Sequence, residues 1–194
     1  MRITGGLARG IHLSTGGRED MRPATDMLRQ SVFSSLGADV CDVDCLDLFA
    51  GTGAYGLEAL SRGAKSVRFV EMSREGVKAI GANVLAVCKS MKAKPEVCEV
   101  ESGDVFRWSA GGRKYGLIFA DPPYAMLPGK ASAIFELAAG CISEGGLFVF
   151  EMPGGLELSN PRMTLVKRLG KGRNDPSACV YCVAAKKGIV PTDS

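Results

Sequence analysis

The sequence predicts a doubly wound α/β domain, a mostly parallel sheet covered by helices on both faces, with an antiparallel C-terminal edge and a short N-terminal extension. Three features carry this prediction. From Cys45 onward, short apolar runs alternate with amphipathic helical stretches. A glycine-rich turn, Gly51-Thr52-Gly53-Ala54-Tyr55-Gly56, falls between the first such run and the first such stretch. The last two strand-like segments, "MTLVKRLG" and "ACVYCVAA", lie too close together for a helical crossover, so they are expected to pair antiparallel at one sheet edge.

A chain of 194 residues, 46% of them hydrophobic, can bury one good core. We expect an N-terminal arm and helix over residues 1–37, one core domain over 38–187, and a loose tail over 188–194. Residues 1–20 hold short alternating pieces, "RIT" and "GIHLS", between glycines, which suggests a hairpin or extended arm. From Thr25 to Gly37 a helix is expected, capped by Asp26 and stopped by Gly37, with Leu28, Val32, Phe33 and Leu36 on one face. "CLDLF" then reads as a buried strand and "AYGLEALSRG" as a helix closed by Gly63. "SVRFVE" is the second core strand, and the next helix begins after Ser73, its expected cap. "PEVCEVES" and "YGLIFA" supply two more strands, "KASAIFELAAGCI" a helix, and "GGLFVFEM" the fifth strand.

Composition narrows the function classes. No apolar run approaches the roughly 20 residues that span a bilayer, and "MRITGGLARG" lacks the apolar segment of a signal peptide, so a cytoplasmic monomer is expected. The seven cysteines are scattered from Cys41 to Cys182 and read as reduced, mostly buried thiols. "CVYC" at 179–182 has no second pair to complete a zinc site, and on a strand its two cysteines face opposite sides, so no metal is expected. Basic residues gather at the ends: five arginines against three acids in residues 1–29, and seven basic residues against one acid in 162–187. Such flanks suit a polyanion held across a catalytic core.

The glycine turn has a chemical meaning. Gly51, Gly53 and Gly56 let the backbone turn tightly before a helix whose N-terminus presents free N–H groups. Glu71 ends the next strand 20 positions after Gly51, where a carboxylate can accept hydrogen bonds from both ribose hydroxyls. An adenosine-containing cofactor is therefore expected. NAD(P) would place its pyrophosphate on the glycines, whereas S-adenosylmethionine would use the loop and Asp47 for its methionine end. A dehydrogenase is disfavoured, because the single histidine, His12, lies in the arm and little chain remains for a substrate domain. Asp104, after the third strand, is a candidate partner for the adenine amine or, alternatively, a helix cap.

The second constellation is Asp121-Pro122-Pro123-Tyr124, at the carboxyl end of the fourth strand and so on the same sheet edge as the glycine turn. The prolines stiffen the backbone and lack N–H groups, which leaves carbonyls for a ligand. An acid and a carbonyl together can accept hydrogen bonds from an exocyclic amine, turning its lone pair toward an electrophilic methyl. Tyr124 supplies a stacking surface for an extruded base.

With these residues assembled, the chain resembles the RsmD-type family of bacterial small-subunit ribosomal RNA guanine-N2 methyltransferases. The likeness runs through "MRITGGLARGIHL", through Arg22, Pro23, Thr25, Asp26 and Arg29, through "LDLFAGTGAYGLEALSRGA", through Glu71 and Asn83, and through "ADPPY". It departs at Ala24, where a threonine is usual, and at Met27, where a basic residue is usual. The resemblance implies methyl transfer from S-adenosylmethionine to the N2 amine of a guanine in small-subunit (16S) rRNA, within an assembled subunit or an assembly intermediate. It places cofactor contacts at Asp47, Phe49, Ala50, Gly51, Thr52, Gly53, Gly56, Glu71, Met72, Asp104 and Val105, and catalysis at Asp121, Pro122, Pro123 and Tyr124. RNA contacts are expected at Arg2, Arg9, Arg22, Thr25 and Arg29. Adenine-N6 methylation of DNA or RNA is the nearest alternative, and an NAD(P)-binding oxidoreductase a more distant one.

Overall fold

The computed structural model describes residues 1–17, 23–170 and 175–183, the side chains of residues 23–25 excepted. Residues 171–174 and 184–187 of the expected basic stretch over 162–187, and the expected tail over 188–194, lie outside the described residues.

Among the described residues seven strands form one sheet: β1 (Asp44–Leu48), β2 (Ser66–Glu71), β3 (Cys98–Ser102), β4 (Tyr115–Ala120), β5 (Ile142–Pro153), β6 (Thr164–Leu169) and β7 (Pro176–Cys182). Their spatial order is β3-β2-β1-β4-β5-β7-β6. The first five run parallel, and β7 runs antiparallel to both β5 and β6. The closing pair thus sits at one edge as expected, with the last strand inserted between its two neighbours. Helices α1 (Pro23–Leu36), α2 (Ala54–Ser61), α3 (Arg74–Met91) and α4 (Leu127–Cys141) cover the two faces.

Alternation sorts the core into two layers. Leu57, Val67, Phe69, Leu117, Phe119 and Val149 pack with α1, α2 and α3 on one side, while Leu46, Leu48, Ile118, Phe148 and Phe150 pack with α4 on the other. Cys182 belongs to the first layer and Cys179 to the second, so the two cysteines do face opposite sides. Among the described residues no group of three His, Cys, Asp or Glu side chains is placed to hold a metal, and no helix is long and apolar enough to cross a membrane.

The N-terminal arm is docked onto this core. Its strands meet through Ile3 N–H donating to the Ile11 carbonyl at 2.9 Å, and Ile3, Ala8 and Leu13 are buried in the first layer. Side chains from α2 and α3 fasten it: the Glu58 carboxylate accepts the Thr4 N–H at 2.8 Å, and Asn83 Oδ1 accepts the Ser14 N–H at 2.7 Å. Two expectations about α1 need correction. It starts at Pro23, before Asp26, so Asp26 sits in the first turn instead of capping it and pairs with Arg29 at 3.1 Å. Proline at the opening position explains the earlier start, since its missing N–H has no partner there in any helix. Ser73 does cap α3, accepting the Gly76 N–H at 3.2 Å.

Candidate functional site

Register alone brings the site together. Val70 of β2, Leu48 of β1, Ala120 of β4 and Phe150 of β5 form one paired row across the sheet. The next residue on each strand is Glu71, Phe49, Asp121 and Glu151, so four segments distant in sequence deliver one acidic and aromatic row at the carboxyl edge.

A cleft of about 700 Å³ opens above that row. One wall is Phe49, Glu71, Met72, Ser73, Asp104, Val105 and Phe106; the other is Asp121, Pro122, Pro123, Tyr124, Met126 and Lys130. The expected cofactor wall and the expected catalytic tetrapeptide therefore face one space. Phe49 adopts a left-handed backbone, φ 57°, which a bulky residue seldom takes. That turn presents its ring to the cleft, edge-on to Phe106 with centroids 5.8 Å apart. Strain of this kind collects where a ligand must be met.

Glu71 does two jobs. Its Oε2 accepts the Gly51 N–H at 2.7 Å and its Oε1 the Ser73 N–H at 2.8 Å, which ties the glycine loop to the start of α3. Each oxygen keeps a lone pair for a further donor from the cleft. Asp104 Oδ1 accepts the Phe106 N–H at 2.9 Å, closing a local turn that sets the Phe106 ring. No helix follows Asp104, so its alternative reading as a helix cap is corrected to the closing of a turn; the residue lines the cleft, and its Oδ2 lies 4.0 Å from the exposed Arg107.

Other loop residues act from beneath. Ala50, Gly51, Thr52, Gly53 and Gly56 do not line the cleft wall. A Cβ on Gly56 would stand 2.4 Å from Phe69 and 2.6 Å from Val67, so this glycine exists to seat α2 on β2. Asp47 is buried, 2% exposed, and its Oδ2 accepts the Gly56 N–H at 2.9 Å. Burial raises its pKa to about 8, the Gly56 N–H opposes that rise, and Glu71 adds to it. Asp47 therefore anchors the helix under the loop, where the sequence suggested a direct ligand contact.

Asp121 touches water in the cleft but is crowded by protein on its other sides. That crowding, then the charges of Glu151 and Asp47, raises its pKa well above the ordinary carboxylate value. The Pro123 carbonyl accepts the Met126 N–H at 3.0 Å, so of the two proline carbonyls Pro122's is the one left for a ligand.

The expected RNA residues separate. Arg2 and Arg9 are exposed. Arg9 sits on the hairpin tip, which packs at Ser61 through the Leu7 N–H at 2.8 Å. Ser61 ends α2 and the cleft lies at its start, so Arg9 is at the opposite end of the helix from the chemistry. Arg29 is corrected: it is 2% exposed, 3.6 Å from Glu58 and hydrogen-bonded to the Arg2 carbonyl at 2.7 Å, and has no surface to offer a polyanion. Its position on the buried face of α1, beside a fully buried carboxylate, overrides the usual preference of arginine for solvent. Arg22 and the Thr25 side chain lie outside the described residues.

Sequence reading missed Glu151, Phe106, Met126 and Lys130. An acid near the carboxyl end of a parallel strand, as Glu71 is at the end of β2, was the available signal for Glu151, two residues before the end of β5. Lys130 follows a kink in α4 at Pro128 and Gly129, and only the kink brings it to the cleft, 4.8 Å above the Phe106 ring.

Comparison with known proteins agrees with this geometry. A model of the family described as conserved hypothetical protein 95 matches residues 1–180. Ribosomal RNA small subunit methyltransferase D of Escherichia coli K12 is 37% identical over 124 residues, a match covering 64% of this chain and 60% of that protein. YlbH of Bacillus subtilis, provisionally named an rRNA methyltransferase, is 31% identical over 162 residues, covering 81% of this chain and 85% of the relative. Among solved structures, Escherichia coli yhhF, provisionally named a methyltransferase, superposes with a TM-score of 0.77 at 28% identity, covering 96% of this chain and 99% of that one. The sheet order, its single reversed strand and this match give the fold of the class I methyltransferases. With the family model spanning nearly its whole length, the chain belongs to the conserved hypothetical protein 95 family, the RsmD-type group.

Proposed function

We propose that this chain transfers a methyl group from S-adenosylmethionine to the exocyclic N2 amine of a guanine in small-subunit (16S) rRNA. The observation that carries this reading is the shared cleft, which sets Glu71 and Asp104 on one wall against Asp121, Pro122, Pro123 and Tyr124 on the other.

The donor set suits a cationic nucleoside better than a pyrophosphate. Among the described residues three carboxylates, Glu71, Asp104 and Asp121, line the cleft against one cation, Lys130, and Asp47 already occupies the Gly56 N–H in the first turn of α2. Negative charge repels phosphate and favours a positive ligand. When bound, S-adenosylmethionine supplies an electrophilic methyl group on a positively charged sulfur. Glu71 would accept the ribose hydroxyls, Asp104 the adenine amine, and Phe49, Met72, Val105 and Phe106 would enclose the adenine ring.

On the facing wall, Asp121 and the Pro122 carbonyl accept hydrogen bonds from the target amine and hold its nitrogen for attack. Positioning of this kind supplies much of a transfer rate. Tyr124 gives the extruded base a ring to stack on. The exposed Arg2 and the Arg22 segment would meet the RNA backbone, in the cytoplasm and as a monomer.

The test is direct. The protein is incubated with isotopically labelled S-adenosylmethionine and small subunits from cells lacking the activity, and the rRNA nucleosides are resolved by mass spectrometry. N2-methylguanosine carrying the label is expected. Label in adenine or in protein instead overturns the substrate, and no label anywhere overturns the activity.

A further inference from the structure

Glu151 is marked by no motif, yet it is an acid almost wholly enclosed next to the cleft. It is 4% exposed, and its two oxygens are divided between two tyrosines. Oε2 accepts the Tyr55 hydroxyl at 2.8 Å, and Oε1 accepts the Tyr124 hydroxyl at 3.4 Å. Tyr55 is fixed in the core, stacked on Phe119 with ring centroids 5.2 Å apart. Tyr124 lines the cleft. A buried acid therefore links an immobile ring to the ring that faces the substrate. The 3.4 Å contact is long, as such bonds often are before a substrate packs against them.

Stability does not account for this acid. A buried carboxylate loses its hydration, and an apolar residue of similar size at such a place is often neutral or stabilising. Two hydroxyl donors and the attraction of Arg29 offset only part of that cost, because burial still raises the pKa of Glu151. The strand register sets Glu151 beside Asp121, one residue beyond the Ala120 to Phe150 pair.

Resting on the methyl-transfer reading above, we propose that Glu151 is a positioning residue for the transfer. It holds the Tyr124 ring from behind and sets a second negative charge next to Asp121, so that Asp121 takes the proton released by the methylated amine. As the amine nitrogen gains its methyl group it carries one hydrogen too many. That N–H bond breaks, an O–H bond forms on Asp121, and the proton passes to water through the open cleft. The groups facing Asp121 are Glu151 from β5, whose charge makes it a stronger proton acceptor, and Asp47 from β1, which stays protonated up to about pH 8 and adds its charge only above that. Those facing Glu151 are Tyr55 from α2, Tyr124 from the turn after β4 and Arg29 from α1, each of which lowers its pKa against the burial that raises it.

The test is Glu151→Gln, which keeps size and an acceptor oxygen and removes the charge. Methylation of small-subunit rRNA is measured against pH for wild type and variant. In the variant kcat should fall about tenfold, less than the roughly 10²–10⁴-fold of a whole acid–base contribution because Asp121 itself remains, while KM for S-adenosylmethionine is unchanged. The acid limb of the kcat profile should move to lower pH, because Asp121 loses the charge that raised its pKa. A limb at the wild-type pH, or an unchanged kcat, overturns the proposal. If the glutamine variant does not fold, Tyr124→Phe keeps the ring and removes the tether; several-fold lower kcat is expected, and wild-type kcat overturns the proposal. A wild-type protein that labels no RNA overturns the methyl-transfer reading as well, whereas an active wild type with an unmoved limb in the variant overturns this inference alone.

Discussion

The Glu71 carboxylate bonds the Gly51 N–H at 2.7 Å across 20 residues of sequence, and its other oxygen bonds the Ser73 N–H at 2.8 Å. One side chain thus sets the glycine loop and the start of α3 while facing the cleft. Glu71→Ala should weaken binding of S-adenosylhomocysteine by tenfold or more, since each hydrogen bond to a charged acceptor contributes about 1.5–3 kcal/mol. Isothermal titration calorimetry reads this, and unchanged affinity would remove Glu71 from the cofactor site.

Asp47 makes stability depend on pH in the direction opposite to a salt-bridged acid. Its folded pKa, about 8, lies above the ordinary value of 3.8. The folded state therefore holds the proton more tightly, and stability is lost as pH rises between those values. Asp47→Asn cannot ionise and still offers an oxygen to the Gly56 N–H. The variant's Tm should gain on wild type from pH 5 to pH 8 by about 5 °C or more. A constant difference in Tm across that range would contradict the buried, protonated acid.

Gly56 tests packing apart from chemistry. A Cβ there would meet the Phe69 ring at 2.4 Å and the Val67 side chain at 2.6 Å, both in the core. Gly56→Ala should cost about 1–3 kcal/mol in a urea titration through overpacking. A neutral result would mean that α2 can lift from β2 freely.

Arg29 should behave as a structural cation. Arg29→Met removes the positive charge beside Glu58, which is fully buried and also bonded by Thr4 and Arg62. A loss of up to about 3 kcal/mol is expected, since the buried Glu58 then keeps Arg62 as its remaining cation. The salt dependence of RNA binding should stay the same, while Arg2→Ala should flatten it. A flattened slope in the Arg29 variant would return that residue to the RNA surface.

Much of this molecule was legible in the one-dimensional chain, for a physical reason. Strand and helix periodicity, a capping serine at 73 and the glycine spacing at 51–56 are local signals, and they placed β1 to β5 and α2 to α4 near their observed bounds. The acids closing strands could be assigned to one edge because parallel strands share a direction. Which acids and rings meet was decided by register. Glu151 joins Asp121 only because Phe150 pairs with Ala120, and Lys130 reaches the cleft only through the kink at Gly129. Burial was likewise decided in three dimensions: α1 turns Arg29 onto Glu58, and nothing in the spacing of either residue tells a buried cation from one facing water.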